Sequence, residues 1–503
     1  MLLKPESTCW RVSNAERVGL IVDVQDYYRA AREAMGRARR SIHILGWAWD
    51  PSTLFAPDGE AEHGPDDRWG PWLRDFAVEH REVDVRLLVW KSALPVAATQ
   101  NFFPHRARAL FGDTPVNFRL DGALPLGACH HQKVIVIDDE LAFAGGCDVG
   151  PDRWDTQAHR DDDPHRRKPG GGFFDARHET MCVFDGHPAR DMGALFRARW
   201  KRASGETLAE PDSHAIGGSD AWPPCIAVAL KGVRTGISRS EPHWRHYPEI
   251  RETEKLHLAS IGAARRFIYL ENQYFACPVM AEALAARLEE ADGPEIMLVS
   301  TQHSPSWFDQ MTMDRTRLLF LKRLKASDHY GRLSAFCPVT AEGRIIIVHS
   351  KLSIIDNDLV RVGSANLNNR STGFDTECDL SFEAEGPAQE VAIARFRAHL
   401  IAHWLAQPTE IVAEGIKTQG LAATVAALDD PARPRLQPIA HRPIGAFGAF
   451  VATYHIGDPT GPGDSWRPWL RRRALKENLR HAALVLEQQG LDAPAEVLRD
   501  ETV

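Results

Sequence analysis

One eight-residue pattern occurs twice in this chain of 503 residues. His131-Gln132-Lys133, four residues and Asp138 form the first copy; His349-Ser350-Lys351, four residues and Asp356 form the second. Each is trailed at the same distance by small residues, Gly145-Gly146 and Gly363-Ser364. A His and a Lys two apart on a strand share one face, whereas an Asp five positions beyond the Lys falls on the other. Asp138 and Asp356 are therefore expected to support the motif, while His131, Lys133, His349 and Lys351 work in it. Two such sets facing each other suit a phosphodiester. Fixed ammonium groups stabilise charge on the non-bridging oxygens. One imidazole attacks phosphorus and forms a phosphohistidine; the other protonates the leaving alcohol and then activates water or a second alcohol. Asn366 and the backbone at Gly146 and Ser364 can add neutral donors to the phosphate, although Asn366 also suits a plain turn. Each imidazole needs an acceptor on its second nitrogen. Glu179 and Glu377 stand at equivalent repeat positions, and the reading pairs each with the histidine of its own half: Glu179 with His131, Glu377 with His349. No cofactor or metal is expected, since the cations are lysines and no metal-ligand spacing stands out. Activity is accordingly expected to survive EDTA.

The elements that carry these residues are duplicated too. The second motif lies 218 positions after the first (131 to 349), and the small-residue pairs keep that offset. Arg39 to Leu45 corresponds to Arg265 to Glu271 as helix end into strand, preceded by helical runs Tyr27–Ala38 and Thr253–Ala264. Buried strands are expected at Val83–Trp90, Val134–Asp138, Glu295–Ser300, Leu333–Cys337, Ile345–Val348 and Leu359–Val362. Helices are expected at Met280–Ala291, Arg315–Ala326 and Ala388–Trp404. Pro151–Asp175 reads as a long polar insertion in the first half, and the stretch from His159 to His165 as solvated loop rather than metal site. The alternation predicts an α/β fold of two pseudo-symmetric α/β/α lobes with the active site at their interface. Residues 1–215 form the first lobe, 216–406 the second, and 407–503 an extension that packs on the core or contacts a partner. Trp47, Trp49 and Trp90 could line an acyl groove or belong to the core. The run Arg471-Arg472-Arg473 reads as a helix face.

Composition narrows the class. Apolar residues make up 44% and charged residues 25%, as in ordinary globular proteins. The net charge of −8 gives no general footprint for nucleic acid. No apolar run is long enough to span a bilayer. Eight scattered cysteines form no CxxC pair and demand no disulfide. The start of the chain lacks an apolar signal core, so a cytoplasmic or peripheral-membrane location is expected, with export lacking a cleaved signal still compatible.

On both HxKxxxxD copies and on Gly363-Ser364-Ala365-Asn366, the chain resembles the phospholipase D superfamily. Glu271-Asn272-Gln273-Tyr274-Phe275, Arg239-Ser240, and Gly145-Gly146-Cys147-Asp148 leading into Asp152-Arg153-Trp154-Asp155 resemble the eukaryotic-type branch. Asp148 standing where the second repeat has Asn366 is an asymmetry of that branch as well. The resemblance runs over about residues 8 to 405 and looks like a bacterial version stripped of targeting domains. It implies a pseudo-twofold fold with His131 as nucleophile and His349 as acid and base. It also implies hydrolysis of the distal phosphodiester of glycerophospholipids at a membrane surface, with transfer to primary alcohols, and a monomer suffices for such a site. A cardiolipin-synthase-like phosphatidyltransferase is the nearest alternative, although that family usually begins with hydrophobic helices. A nuclease of the superfamily fits the net acidity poorly, and an inactive lipid-binding scaffold fits the intact motifs poorly.

Overall fold

The computed structural model describes residues 1–59, 67–92, 103–168, 170–210, 219–440, 445–465 and 467–488. The expected boundary between residues 215 and 216 lies outside the described residues.

The strands are β1 (Arg11–Val22), β2 (Ser41–Gly46), β3 (Asp84–Trp90), β4 (Asn117–Asp121), β5 (Val134–Ile137), β6 (Leu141–Gly145), β7 (Arg177–His178), β8 (Thr180–Gly186) and β9 (Leu230–Glu241). They continue as β10 (Ile250–Arg251), β11 (Phe267–Asn272), β12 (Glu295–Val299), β13 (Leu333–Pro338), β14 (Ile347–Val348), β15 (Lys351–Ile355), β16 (Leu359–Gly363), β17 (Glu377–Glu383) and β18 (Leu436–Pro438). Sixteen of them form one sheet, in the order β18-β13-β12-β11-β15-β16-β17-β9-β1-β8-β6-β5-β2-β3-β4, with β10 pairing β9 off this path. Apart from β18 at one edge, the order is a palindrome about the antiparallel β1–β9 pair. Outward from β1 the pairings are antiparallel to β8, β6, β5 and β2, then parallel to β3 and β4. Outward from β9 the same senses recur through β17, β16, β15, β11, β12 and β13. The duplication is thus a pseudo-twofold fused through the middle of a single sheet.

The motif strands are short, rich in β-branched residues and buried on both faces: Val134 to Ile137 and Lys351 to Ile355. The expected elements recur with shifts of a few residues at their ends. The exception is Ile345–Val348, where only Ile347–Val348 is strand and Ile345 makes an isolated bridge to Val339. The helix His187–Ser204 shows how such elements are bounded: Pro188 lies in its first turn, and Gly205 at φ 80° caps the end, donating its N–H to Lys201 O.

The C-terminal region packs on the second lobe. β18 adds an antiparallel edge to β13, and helices Thr409–Gln419 and Leu421–Leu428 follow the helix Pro387–Leu405. Asp458 accepts the backbone N–H groups of Asn369 (3.0 Å) and Arg370 (2.9 Å), capping the short helix just beyond Asn366. Arg471, read as part of a helix face, is buried and donates to the carbonyls of His455 and Ser465. No helix among the described residues is long and apolar enough to cross a membrane.

Candidate active site

Both motif histidines lie at the seam of the lobes, and each takes its carboxylate from the opposite lobe. His131 Nδ1 is 2.9 Å from Glu377 Oε2, and His349 Nδ1 is 2.6 Å from Glu179 Oε1. The same-lobe pairing expected from the repeat is therefore wrong, and backbone pairing explains why. β7 runs parallel to β14, and His130 bridges to Thr376. His349 N donates to His178 O, and His131 N donates to Thr376 O, both at 2.9 Å. Each histidine is thus clipped beside the residue that precedes the other lobe's glutamate. The imidazoles keep 16% and 12% of their side-chain surface, whereas Glu377 and Glu179 keep 1% and 0%. With Nδ1 occupied, Nε2 is the nitrogen left for substrate.

The lysines fold back on their own strands. Lys133 Nζ donates to His131 O at 2.8 Å, and Lys351 Nζ donates to His349 O. Lys133 also lies 3.3 Å from Asp148 Oδ2, whose Oδ1 accepts the N–H groups of Trp47 (2.9 Å) and Ala48 (3.0 Å). Lys351 makes no ion pair among the described residues. Burial pushes it down to about 7; Glu179 pulls the other way, and Lys133 adds to the fall. Burial, reinforced by the two lysines, also drives His131 well below its ordinary value, and burial with Lys351 does the same to His349. Glu377 is raised by burial to about 8, against Lys133 and the hydroxyls of Ser364 and Ser371. Those hydroxyls donate to its two oxygens at 2.5 and 2.6 Å.

The remaining expected residues divide. Asp138 accepts the backbone N–H groups of Arg39, Arg40 and Ser41 at 2.7–2.9 Å. Asp356 does the same for Arg265, Arg266 and Phe267 at 2.7–2.8 Å. Both carboxylates tie a motif hairpin to the start of the neighbouring strand, and neither reaches the imidazoles. Ser364 commits its donors within the protein, its N–H to Asp379 Oδ1 (3.0 Å) and its hydroxyl to Glu377. Gly146 faces the second lobe at close range, since a Cβ there would sit 3.1 Å from Lys351 Cδ and 3.2 Å from His349 O. Its N–H already reaches Thr180 O at 3.5 Å. Asn366 is 8% exposed and its Oδ1 has no hydrogen-bond partner among the described residues. Trp49 is core, but Trp47 and Trp90 are half-buried, stacked at 5.8 Å, with Trp47 6.4 Å edge-on to His131.

Sequence reasoning missed several buried supports. Glu271 Oε2 is 2.9 Å from His178 Nε2 and accepts the Ser350 hydroxyl at 2.7 Å, linking the lobes behind the motif. Against the cost of burial, Glu271 and Asp23 together hold His178 up to about 10. Asp23 accepts Glu179 N–H at 3.1 Å and donates its own N–H to Glu179 O at 2.9 Å. His159 is not solvated: it is 2% exposed, and its Nδ1 lies 2.9 Å from Asp155 Oδ2. The polar insertion folds inward there because Asp155 also receives Arg166 (3.1 Å) and the Arg177 N–H (2.8 Å), so its charge is compensated. The one available signal was adjacency, since His178 directly precedes Glu179.

Comparison with known proteins gives a consistent frame. A family described as "Cardiolipin synthase, PLD-like domain" matches residues 258–404. Phospholipase D alpha 4 of Arabidopsis thaliana is 23% identical over 69% of this chain and 58% of its own length. Phospholipase D A of Dictyostelium discoideum is 24% identical over 73% and 32%, and phospholipase D2 of Bos taurus is 22% identical over 73% and 49%. The chain thus spans about a third to three fifths of these relatives. A phosphatidylserine synthase structure from Haemophilus influenzae Rd KW20 superposes with a TM-score of 0.54 at 13% identity, over 81% of this chain and 93% of that one. With two HxKxxxxD motifs brought to one seam by a duplicated α/β lobe, the chain belongs to the phospholipase D superfamily.

Proposed function

We propose that this chain is a phospholipase D: it cleaves the distal phosphodiester of a glycerophospholipid, releasing phosphatidic acid and the headgroup alcohol. The observation that carries the reading is the pair of reciprocal His–Glu contacts across the seam, each with a buried lysine two residues on. His131 Nε2 attacks phosphorus while His349 gives its Nε2 proton to the departing alcohol oxygen. The P–O bond breaks as the P–N bond forms. His349 then takes a proton from water, whose oxygen attacks phosphorus and returns His131. Glu377 and Glu179 hold the two Nδ1–H groups, and with the phosphate monoanion bound the added negative charge favours the imidazolium forms that burial disfavours in the free site. Lys133, Lys351 and Asn366 face the non-bridging oxygens.

A lipid substrate is supported by apolar surface. Trp47 stands edge-on to His131 with Trp90 stacked on it, and Trp307 (73% exposed), Phe308, Phe447 and Phe450 are large and exposed. Exposed apolar side chains of this kind suit contact with an acyl-chain boundary. A second reading, transfer of the phosphatidyl group to an alcohol acceptor, uses the same intermediate. It is supported by likeness to a cardiolipin synthase family and by a fold shared with a phosphatidylserine synthase. One assay separates the two: mixed phospholipid vesicles with and without a short primary alcohol, products identified by mass. Phosphatidic acid in water and phosphatidyl-alcohol with alcohol present support the hydrolase. Turnover only when an alcohol acceptor is supplied supports the transferase, and no turnover of any phospholipid removes both.

A further inference from the structure

Behind Glu179 lies a second cluster of ligating side chains that the phosphodiester chemistry does not use. Asp23, His159, His178 and His403 each place a ligand atom within 4.8 Å of the others. Their side chains are 1%, 2%, 0% and 3% exposed. They come from the turn before the helix Val24–Met35, the polar insertion, β7 and the helix Pro387–Leu405, so the cluster joins both lobes.

The distances among three of the donors approach those of a coordination shell. His159 Nε2 is 3.1 Å from His403 Nε2 and 3.5 Å from Asp23 Oδ2, and His403 Nε2 is 3.9 Å from that same oxygen. Ligands about 2.0–2.1 Å from a tetrahedral zinc stand about 3.3–3.4 Å apart. Asp23 Oδ2, buried, has no hydrogen-bond partner among the described residues. The supporting contacts also match. Asp155 holds His159 Nδ1, and Glu271 holds His178 Nε2, each at 2.9 Å. A carboxylate on the distal nitrogen fixes the tautomer and orientation of a ligating imidazole. His178 Nδ1 is thereby left facing Asp23, 3.0 Å from Oδ1.

We propose that Asp23, His159 and His403, with His178 Nδ1 as fourth ligand, bind a divalent transition-metal ion of the zinc type in a closed structural site. Mixed imidazole and carboxylate donors suit such an ion, and no donor position is left for substrate. The ion is a positioning device: it grips Asp23, whose Oδ1 accepts the Glu179 N–H and whose own N–H donates to Glu179 O, and Glu179 is the partner of His349. The chemical step stays with histidine and lysine. Brief EDTA treatment therefore leaves turnover intact, whereas prolonged removal of the ion lowers Tm.

The cluster can also close without an ion, with His178 held as a cation between Asp23 and Glu271, and the test separates the two states. Full-length protein is stripped with a strong chelator, then titrated with Zn²⁺, and separately with Co²⁺ followed by visible absorption. The expected result is one equivalent per chain with Kd below about 1 µM, a tetrahedral Co²⁺ spectrum and a raised Tm. His159→Gln and His403→Gln should each lose that equivalent, by more than the about 10–100-fold that loss of a supporting partner costs. Failure of the stripped wild type to take up either ion stoichiometrically, or uptake by both variants equal to wild type, overturns the proposal. If the variants do not fold, the wild-type stoichiometry and Co²⁺ spectrum decide it alone.

Discussion

Lys133 and Lys351 hold equivalent places in two lobes whose strands repeat pairing for pairing, yet their electrostatic settings differ. In the first lobe Asp148 stands 3.3 Å from the lysine and also ties down the backbone at Trp47 and Ala48. In the second lobe Asn366 replaces that carboxylate, and burial drives Lys351 to about 7. Duplication copied the frame while one substitution separated the charges. Lys133 sits beside a carboxylate, whereas Lys351, pushed to about 7, can gain or lose its proton near neutrality. A phosphodiester monoanion entering the cleft supplies the counter-charge that Asp148 provides to Lys133, so substrate binding and the charge on Lys351 are coupled.

The severest test of the comparison is loss of either histidine. His131→Ala and His349→Ala should each abolish turnover, by more than the about 10²–10⁴-fold that acid–base help alone is worth. Single-turnover assays check this, and near-normal rate in either variant would falsify the two-histidine scheme. Next come the crossed carboxylates. Glu179→Gln and Glu377→Gln should each lower kcat strongly, and a double-mutant cycle should couple Glu179 to His349 and Glu377 to His131. Coupling within a lobe instead would contradict the geometry.

The lysines follow. Lys133→Arg and Lys351→Arg keep charge but not size or hydration, and kcat should fall while Tm holds. A change confined to KM would make that lysine a docking residue. A smaller effect isolates the asymmetry itself. If catalysis needs Lys351 charged, kcat/KM of the free enzyme should fall as pH rises through about 7. Asn366→Asp, by copying Asp148, should shift that limb upward. Stability carries the matching sign. The folded value lies below the unfolded one, so the unfolded chain binds more protons between about 7 and the ordinary lysine value of 10.5. The cost of burying this ammonium is thus full below pH 7 and fades as pH rises across that window. Asn366→Asp should therefore raise Tm most at pH 6–7, and a Tm unchanged there argues against the assigned cause.

The smallest effect on activity belongs to Asp138 and Asp356. Each accepts three backbone N–H groups away from the imidazoles. Asp356→Asn should cost about 1–3 kcal/mol of stability by leaving buried donors short of acceptors, with kcat little changed at a temperature where the variant is folded. Denaturant melts with kinetics on the same samples check both halves of that statement.

What the sequence determined by itself is what local spacing and repetition encode. His131 and Lys133, like His349 and Lys351, must share a face, Asp138 and Asp356 must turn from it, and the offset of 218 positions required a second lobe like the first. The alternation of buried β-branched runs with helices made the layered class readable, and the elements lie within a few residues of their expected places. Tertiary structure alone decided which glutamate serves which histidine. The β7–β14 and His130–Thr376 contacts join segments some 170 to 250 residues apart, and no spacing within one lobe carries that information. It also decided that Ser364 gives its donors to carboxylates, and that His159, in a segment polar enough to read as solvated, is buried against Asp155 and His403. The reason is common to all three. Burial of a polar group is acceptable only when a partner meets it; for His131, His349 and His159 a partner arrives from the other half of the chain, whereas Ser364 meets Glu377 and Asp379 within its own lobe.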